Sequence, residues 1–121
     1  MTDLTRLSLV VVGGGAGAGL RFLVGLRVPA AVYPWHTLGI NAVGSFALGV
    51  LAGAGRDRPG WYALLGVGVC GGFTTFSTFS LETLTLLDEG RGWTAAGYVL
   101  GSVAAGLAGC WVGLRLGRVG S

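Results

Sequence analysis

Charged residues fall in short clusters along the chain and leave long uncharged stretches between them. No formal charge occurs from Val28 to Gly55, from Pro59 to Leu81 or from Gly92 to Leu114, runs of 28, 23 and 23 residues. Each can cross a bilayer as a helix, which needs about 20 predominantly apolar residues. Leu7 to Leu20 is a shorter run of 14 residues, and continuing it past Arg21 through Phe22, Leu23 and Val24 to Leu26 brings it to spanning length. The pattern predicts an all-α membrane protein: a single four-helix transmembrane domain over 1–121, with spans at about 7–26, 35–55, 61–87 and 93–114. Pro29 and Pro34 end the first helix, because proline lacks an amide and fixes φ. Arg56-Asp57-Arg58-Pro59-Gly60 and Asp88-Glu89-Gly90-Arg91-Gly92 read as tight polar connections. Connections this short leave no room for an extramembrane domain. Trp35, Trp61, Trp93 and Trp111 all lie near predicted helix ends, as amphipathic rings at the headgroup level do.

Composition agrees with the pattern. Of 121 residues, 52% are hydrophobic and 11% charged, where a soluble domain carries about 25% charged residues. The net charge of +3 comes from eight arginines and no lysine, without a basic patch interleaved with aromatics, so nucleic acid is not an expected partner. Cys70 and Cys110 both fall within spans, without metal-ligand spacing, and read as small packing residues. Ala16-Gly17-Ala18 has the look of a signal-peptidase site, but Asp3 balances Arg6 ahead of it and Gly13-Gly14-Gly15 interrupts the apolar core, so no cleavage is expected. Gly13-x-Gly15-x-x-Ala18 loosely matches a dinucleotide fingerprint, yet no strand precedes it and no acidic residue follows at the required distance. No Walker sequence and no Ser-His-Asp set occurs, and an enzyme is not expected. The single histidine, His36, reads as a headgroup contact.

Glycine spacing adds a packing expectation. Gly97, Gly101, Ala105, Gly109 and Gly113 recur every four residues, as do Gly13 and Gly17, and Ser45, Gly49 and Gly53. Small residues at this interval let membrane helices approach closely. Such faces serve packing within the chain or an interface between subunits.

The third span carries the chemistry. Gly71-Gly72-Phe73-Thr74-Thr75-Phe76-Ser77-Thr78-Phe79-Ser80 places five hydroxyls within seven positions behind a glycine pair that weakens the helix. A helix break at membrane depth is tolerated only where freed backbone groups are buried in protein or line a watery cavity, and exposed carbonyls there commonly hold a cation. Phe76 and Phe79 share a helical face, and ring edges carry positive quadrupole that can meet an anion. Glu82 lies one turn further on, and an intramembrane carboxylate is a functional candidate by default. In the second span the amide of Asn41 either donates to an anion or cross-links helices. Tyr98 and Ser102 share a face of the fourth helix, and Arg21 closes the first, where it can snorkel to the interface.

The run from Gly71 to Ser80, Asn41 within Gly39-Ile40-Asn41-x-x-Gly44-Ser45-Phe46, and Arg21 after Gly19-Leu20 resemble the Fluc (CrcB) family of fluoride channels across all four spans. The resemblance implies four-helix subunits forming antiparallel, dual-topology dimers in the plasma (inner) membrane, with the third helix broken mid-membrane and fluoride exported to lower its cytoplasmic level. It implies a structural Na+ at the dimer interface, held by backbone carbonyls that match Gly71 and Thr74. Phe76 and Phe79 match the pair lining the fluoride path, and Asn41 the amide beside it. Ser77, Thr78 and Ser80 match candidate hydroxyls, Glu82, Tyr98, Ser102 and Thr37 polar positions near the path, and Arg21 a basic residue near the aqueous mouth. Gly106 departs from members that carry a second hydroxyl one turn after Ser102, which thins the polar track on that side.

The chemistry of these residues is compatible with these implications, because a small, strongly hydrated anion needs close donors to replace its water. Arg6, Arg56, Arg58, Arg115 and Arg118 on one side outnumber Arg27, Arg91 and Arg21 on the other, which favours cytoplasmic termini. A strictly dual-topology homodimer prefers less asymmetry, so a heterodimer with a paralogous subunit of opposite orientation stands beside the homodimer. Two other functions compete with the channel. A small multidrug-type proton-coupled transporter needs a carboxylate in the first span, where Arg21 is the charged residue. A structural membrane subunit leaves the five clustered hydroxyls without a purpose.

Overall fold

The computed structural model describes residues 1–28, 34–55 and 57–120. Pro29 and Arg56, read above as part of two connections, lie outside the described residues. Helix α1 runs Asp3–Arg27, α2 Trp35–Gly55, α3 over 59–73, α4 Phe76–Asp88 and α5 Gly92–Gly120. With α3 and α4 taken as one span, Pro59–Asp88, four helical stretches are long and apolar enough to cross a membrane. No strand occurs among the described residues.

Local chemistry sets the boundaries. Thr2 caps α1 by accepting the Thr5 amide at 3.1 Å, so the helix starts four residues before the expected Leu7. Asp3 in its first turn and Arg27 in its last both complement the helix dipole. Arg58 precedes α3, with Pro59 at the first helical position, where its missing amide costs nothing. The stretch Tyr62–Cys70 then winds as a π-helix, with the Gly71 amide reaching back to the Gly66 carbonyl. At the end of α4, Gly90 adopts φ +74° and lets its own amide return to Leu87 and the Arg91 amide to Leu86. That closure requires a residue without Cβ and turns the chain directly into α5.

Glycine governs how the helices meet. Helix α1 lies along α3, and α2 lies along α5. A Cβ on Gly13 or Gly17 would strike carbonyls of Leu64 or Val69, and one on Gly72 would strike the Gly14 carbonyl. In the second pair, Gly49 and Gly53 face the Cys110 and Leu114 carbonyls while Gly113 and Gly117 face those of Phe46 and Val50. Backbones this close gain dispersion and weak polar contacts that hydrophobic burial cannot supply in lipid. The row along α5 is not one interface: Gly109 and Gly113 meet α2, whereas a Cβ on Gly97 has open space. Gly113→Ala is therefore expected to destabilise the folded chain by about 1–3 kcal/mol, the usual cost of overpacking. Gly97→Ala, with open space for its Cβ, is expected to hold stability or raise it by up to about 1 kcal/mol, and thermal unfolding in detergent distinguishes the two.

Few side chains are fully enclosed. Leu86, Ala95 and Tyr98 form a small cluster joined by Leu38 and Phe79, where α2, α4 and α5 converge. Large apolar side chains such as Phe22, Leu81, Leu100 and Leu107 face outward. An apolar exterior of this extent suits lipid and helix partners rather than water.

Candidate functional site

The backbone leaves the helix between α3 and α4. Gly71 keeps α-helical dihedrals, and the departure comes three residues later, at Thr74 (φ −80°, ψ 157°) and Thr75 (φ −150°, ψ 116°). The glycine pair expected to weaken the helix thus lies inside it, where Gly72 admits α1 at close range. Two side chains from other helices hold the chain around this departure. Asn41 of α2 clamps Thr75 from both sides: its Oδ1 accepts the Thr75 amide at 2.7 Å and its Nδ2 donates to the Thr75 carbonyl at 3.1 Å. Arg21 of α1 donates Nε to the Gly72 carbonyl at 3.2 Å.

This clamp reroutes the helical ladder. In a continuous helix the Thr75 amide would bond the Gly71 carbonyl and the Thr78 amide the Thr74 carbonyl. Here the first goes to Asn41 and the second to Thr75 Oγ1, at 3.2 Å, which caps α4. Gly71 and Thr74 both line an open hollow of about 460 Å³ with Asn41, Ser45, Thr75 and Phe76. Gly44 makes room for Thr74, whose methyl a Cβ at that position would strike.

The five hydroxyls divide by role. Thr74 and Ser80 return to their own helix, donating to the Cys70 and Phe76 carbonyls at 3.0 Å each. Thr75 donates to Thr78 Oγ1 at 3.1 Å, with Ser77 Oγ 3.4 Å from Thr75 Oγ1, so three hydroxyls gather on the first turn of α4. A second hollow of about 330 Å³ is lined by Arg21, His36, Thr37, Thr75 and Thr78, placing Thr75 on the wall of both.

Aromatic rings continue from this turn toward α5. Phe76 is 78% exposed, and its ring centroid lies 5.8 Å from that of Phe79 at a tilt of 44°. Phe79 in turn lies 5.1 Å from Tyr98, which is wholly buried. The Tyr98 hydroxyl donates to Glu82 Oε1 at 3.3 Å, and Glu82 Oε2 lies 3.9 Å from His36 Nε2. Thr37, 1% exposed, places its Oγ1 3.4 Å from the same imidazole nitrogen. One turn beyond Tyr98, the Ser102 hydroxyl is buried without a hydrogen-bond partner.

The sequence family described as CrcB-like protein, Camphor Resistance (CrcB), matches residues 8–114. The chain belongs to the CrcB family. A protein of Novosphingobium aromaticivorans named fluoride-specific ion channel FluC is 49% identical over 123 residues, covering 95% of this chain and 98% of its own length. Relatives with the same name from Rhodospirillum centenum and Gloeobacter violaceus are 45% and 47% identical, covering 90% and 87% of this chain and 92% and 90% of their own lengths. With four helices of spanning length, this CrcB protein is a multi-pass membrane protein.

Within this CrcB chain, the residues singled out in the sequence fall into two groups that meet at Thr75. Arg21, Asn41 and Gly71 lie about the extended residues, of which Thr74 is one, while Phe76, Phe79, Glu82, Tyr98 and Thr37 form the chain of contacts running from Phe76 toward α5. Two contributors stand out only in the structure. From the sequence Thr75 is one hydroxyl among five, although Thr75-x-x-Thr78 is a capping spacing visible there. The sequence expectation for His36 is a headgroup contact, whereas its approach to Glu82 joins positions 46 residues apart, which no local pattern carries.

Proposed function

We propose that this chain is a subunit of a fluoride-selective ion channel that lets fluoride leave across the plasma membrane, lowering its cytoplasmic level. The observation that carries the reading is the diverted helix at Thr74 and Thr75, held open by Asn41 and flanked by hydroxyls and ring edges. The relatives named fluoride-specific ion channels supply the anion. Fluoride surrenders its hydration shell only where donors replace it at close range. Asn41 spends one Nδ2 proton on Thr75 and keeps a second to offer. Ser102 has a buried hydroxyl with no partner, free to donate. The positive edges of Phe76 and Phe79 extend the same service, Ser77, Thr78 and Thr37 supply further hydroxyls, and Ser80 joins them on releasing the Phe76 carbonyl. Arg21 raises the local anion concentration beside the second hollow.

We read the working unit as an antiparallel dual-topology pair, formed by two copies or by this chain and a paralogous subunit, with the third span broken mid-membrane. The 78% exposure of Phe76 supports a second subunit, because half of a pathway wall then stands open on one chain. The Gly71 and Thr74 carbonyls, relieved of their usual helical donors, fit a structural sodium ion between subunits, two oxygens from each. Such an ion supplies fixed positive charge that offsets the cost of an anion at low dielectric.

The reading is tested by expressing the gene in a bacterium stripped of its own fluoride exporters. Restored growth on fluoride is the expected result. Expression at the membrane without restored growth, alone and with a paralogous partner, would overturn it.

A further inference from the structure

Three helices bring one cluster together beside Phe79. Helix α2 contributes His36 and Thr37, α4 contributes Glu82 and α5 contributes Tyr98. Glu82 is partly buried, and both of its oxygens are engaged: Oε1 accepts the Tyr98 hydroxyl, and Oε2 faces the His36 imidazole at 3.9 Å. Tyr98 packs against Phe79, so the carboxylate stands beside the ring assigned above to the fluoride route. An uncompensated carboxylate in that place repels an anion, and low surrounding dielectric strengthens the repulsion.

We propose that His36 is the counter-charge of Glu82, so that fluoride passes faster when the imidazole is protonated than when it is neutral. The inference rests on the channel reading given above. Imidazole is the side chain whose protonation ordinarily changes between pH 5 and 8. Protonated, the pair is neutral and the anion meets no net repulsion. Deprotonated, the pair carries one negative charge next to Phe79. Among the described residues, the other charged group lining the same hollow is Arg21 of α1, which donates to the Gly72 carbonyl. Tyr98 reaches the cluster from α5 as a neutral donor. The pH dependence therefore resides in His36.

The test is fluoride efflux from liposomes at matched internal and external pH between 6 and 8, for the wild type, His36→Gln and His36→Arg, with protein-free vesicles subtracted. The wild type is expected to slow on the order of fivefold across that range, as loss of one nearby compensating charge predicts. His36→Gln is expected to be flat and slow, and His36→Arg flat and fast, a charge rescue that a purely structural role would not produce. Equal slopes in all three proteins, or a flat wild type, would overturn the role of His36 while leaving the channel reading intact. Absence of fluoride efflux from the wild type at every pH would instead overturn the channel reading and this inference with it.

Discussion

Asn41→Asp is expected to lower fluoride efflux roughly a hundredfold, the equivalent of the loss of about 3 kcal/mol from a hydrogen bond to a charged group. The substitution is nearly isosteric, so its effects are chemical. The Thr75 amide, 2.7 Å from Asn41 Oδ1, keeps an acceptor, whereas the Thr75 carbonyl, 3.1 Å from Nδ2, loses its donor and faces a second oxygen. The spare amide proton offered to the anion disappears, and a negative charge takes its place beside the hollow. The folded state also suffers, because a partly buried carbonyl is left unpaired at a cost of about 1–3 kcal/mol. Efflux is therefore read on protein that elutes as the wild-type assembly does. Near-wild-type efflux from such protein would remove Asn41 from the pathway.

Phe76→Ile and Phe79→Ile are each expected to slow efflux about tenfold, because aliphatic side chains offer no positive edge and aromatic geometry is worth about 0.5–1.5 kcal/mol beyond area burial. Their effects on stability should differ. Phe76 is 78% exposed on the single chain and meets only the Phe79 ring among the aromatic contacts of the described residues, so its loss disturbs little intrachain packing. Phe79 packs against the Leu86, Ala95 and Tyr98 cluster, and Ile there also changes the shape of that contact. Efflux and thermal unfolding, measured on both variants, separate the two contributions. Wild-type efflux from both would sink the role of the rings.

The long-range pattern of charge and apolarity was enough to place four helices, because crossing lipid demands length and hydrophobicity that show in any window. Helix α2 falls at 35–55 as expected, since Trp35 follows Pro34 and Gly55 precedes a polar turn. The ends of α1 and α5 were less legible. Thr2 caps α1 within a polar stretch that carries no apolar signal, and α5 runs on past Leu114 to Gly120. There the Arg115 guanidinium lies 5.1 Å over the Trp111 ring, so a charge that ended the apolar run does not end the helix.

Site chemistry divides along the same line. The hydroxyl run and the intramembrane carboxylate stood out because they are expensive in lipid. The place where the backbone opens did not, since a glycine pair followed by a run of hydroxyls does not say which peptides leave the ladder, and the extended residues are Thr74 and Thr75. That location depends on Asn41 competing for the Thr75 amide from another helix, a contact 34 residues distant in sequence. The π-helical stretch in α3 was equally hidden, for its residues are those of any apolar helix. Glycine periodicity showed that α5 packs closely but not that Gly113 and Gly97 meet different surroundings.

This CrcB family chain is expected to pass fluoride and not other halides. The most direct test is to reconstitute the purified protein into liposomes loaded with fluoride or with chloride and to follow efflux with ion-selective electrodes. Rapid release of fluoride without release of chloride is the predicted result. Release of both ions at similar rates, or of neither when a paralogous subunit of opposite orientation is present as well, would contradict it.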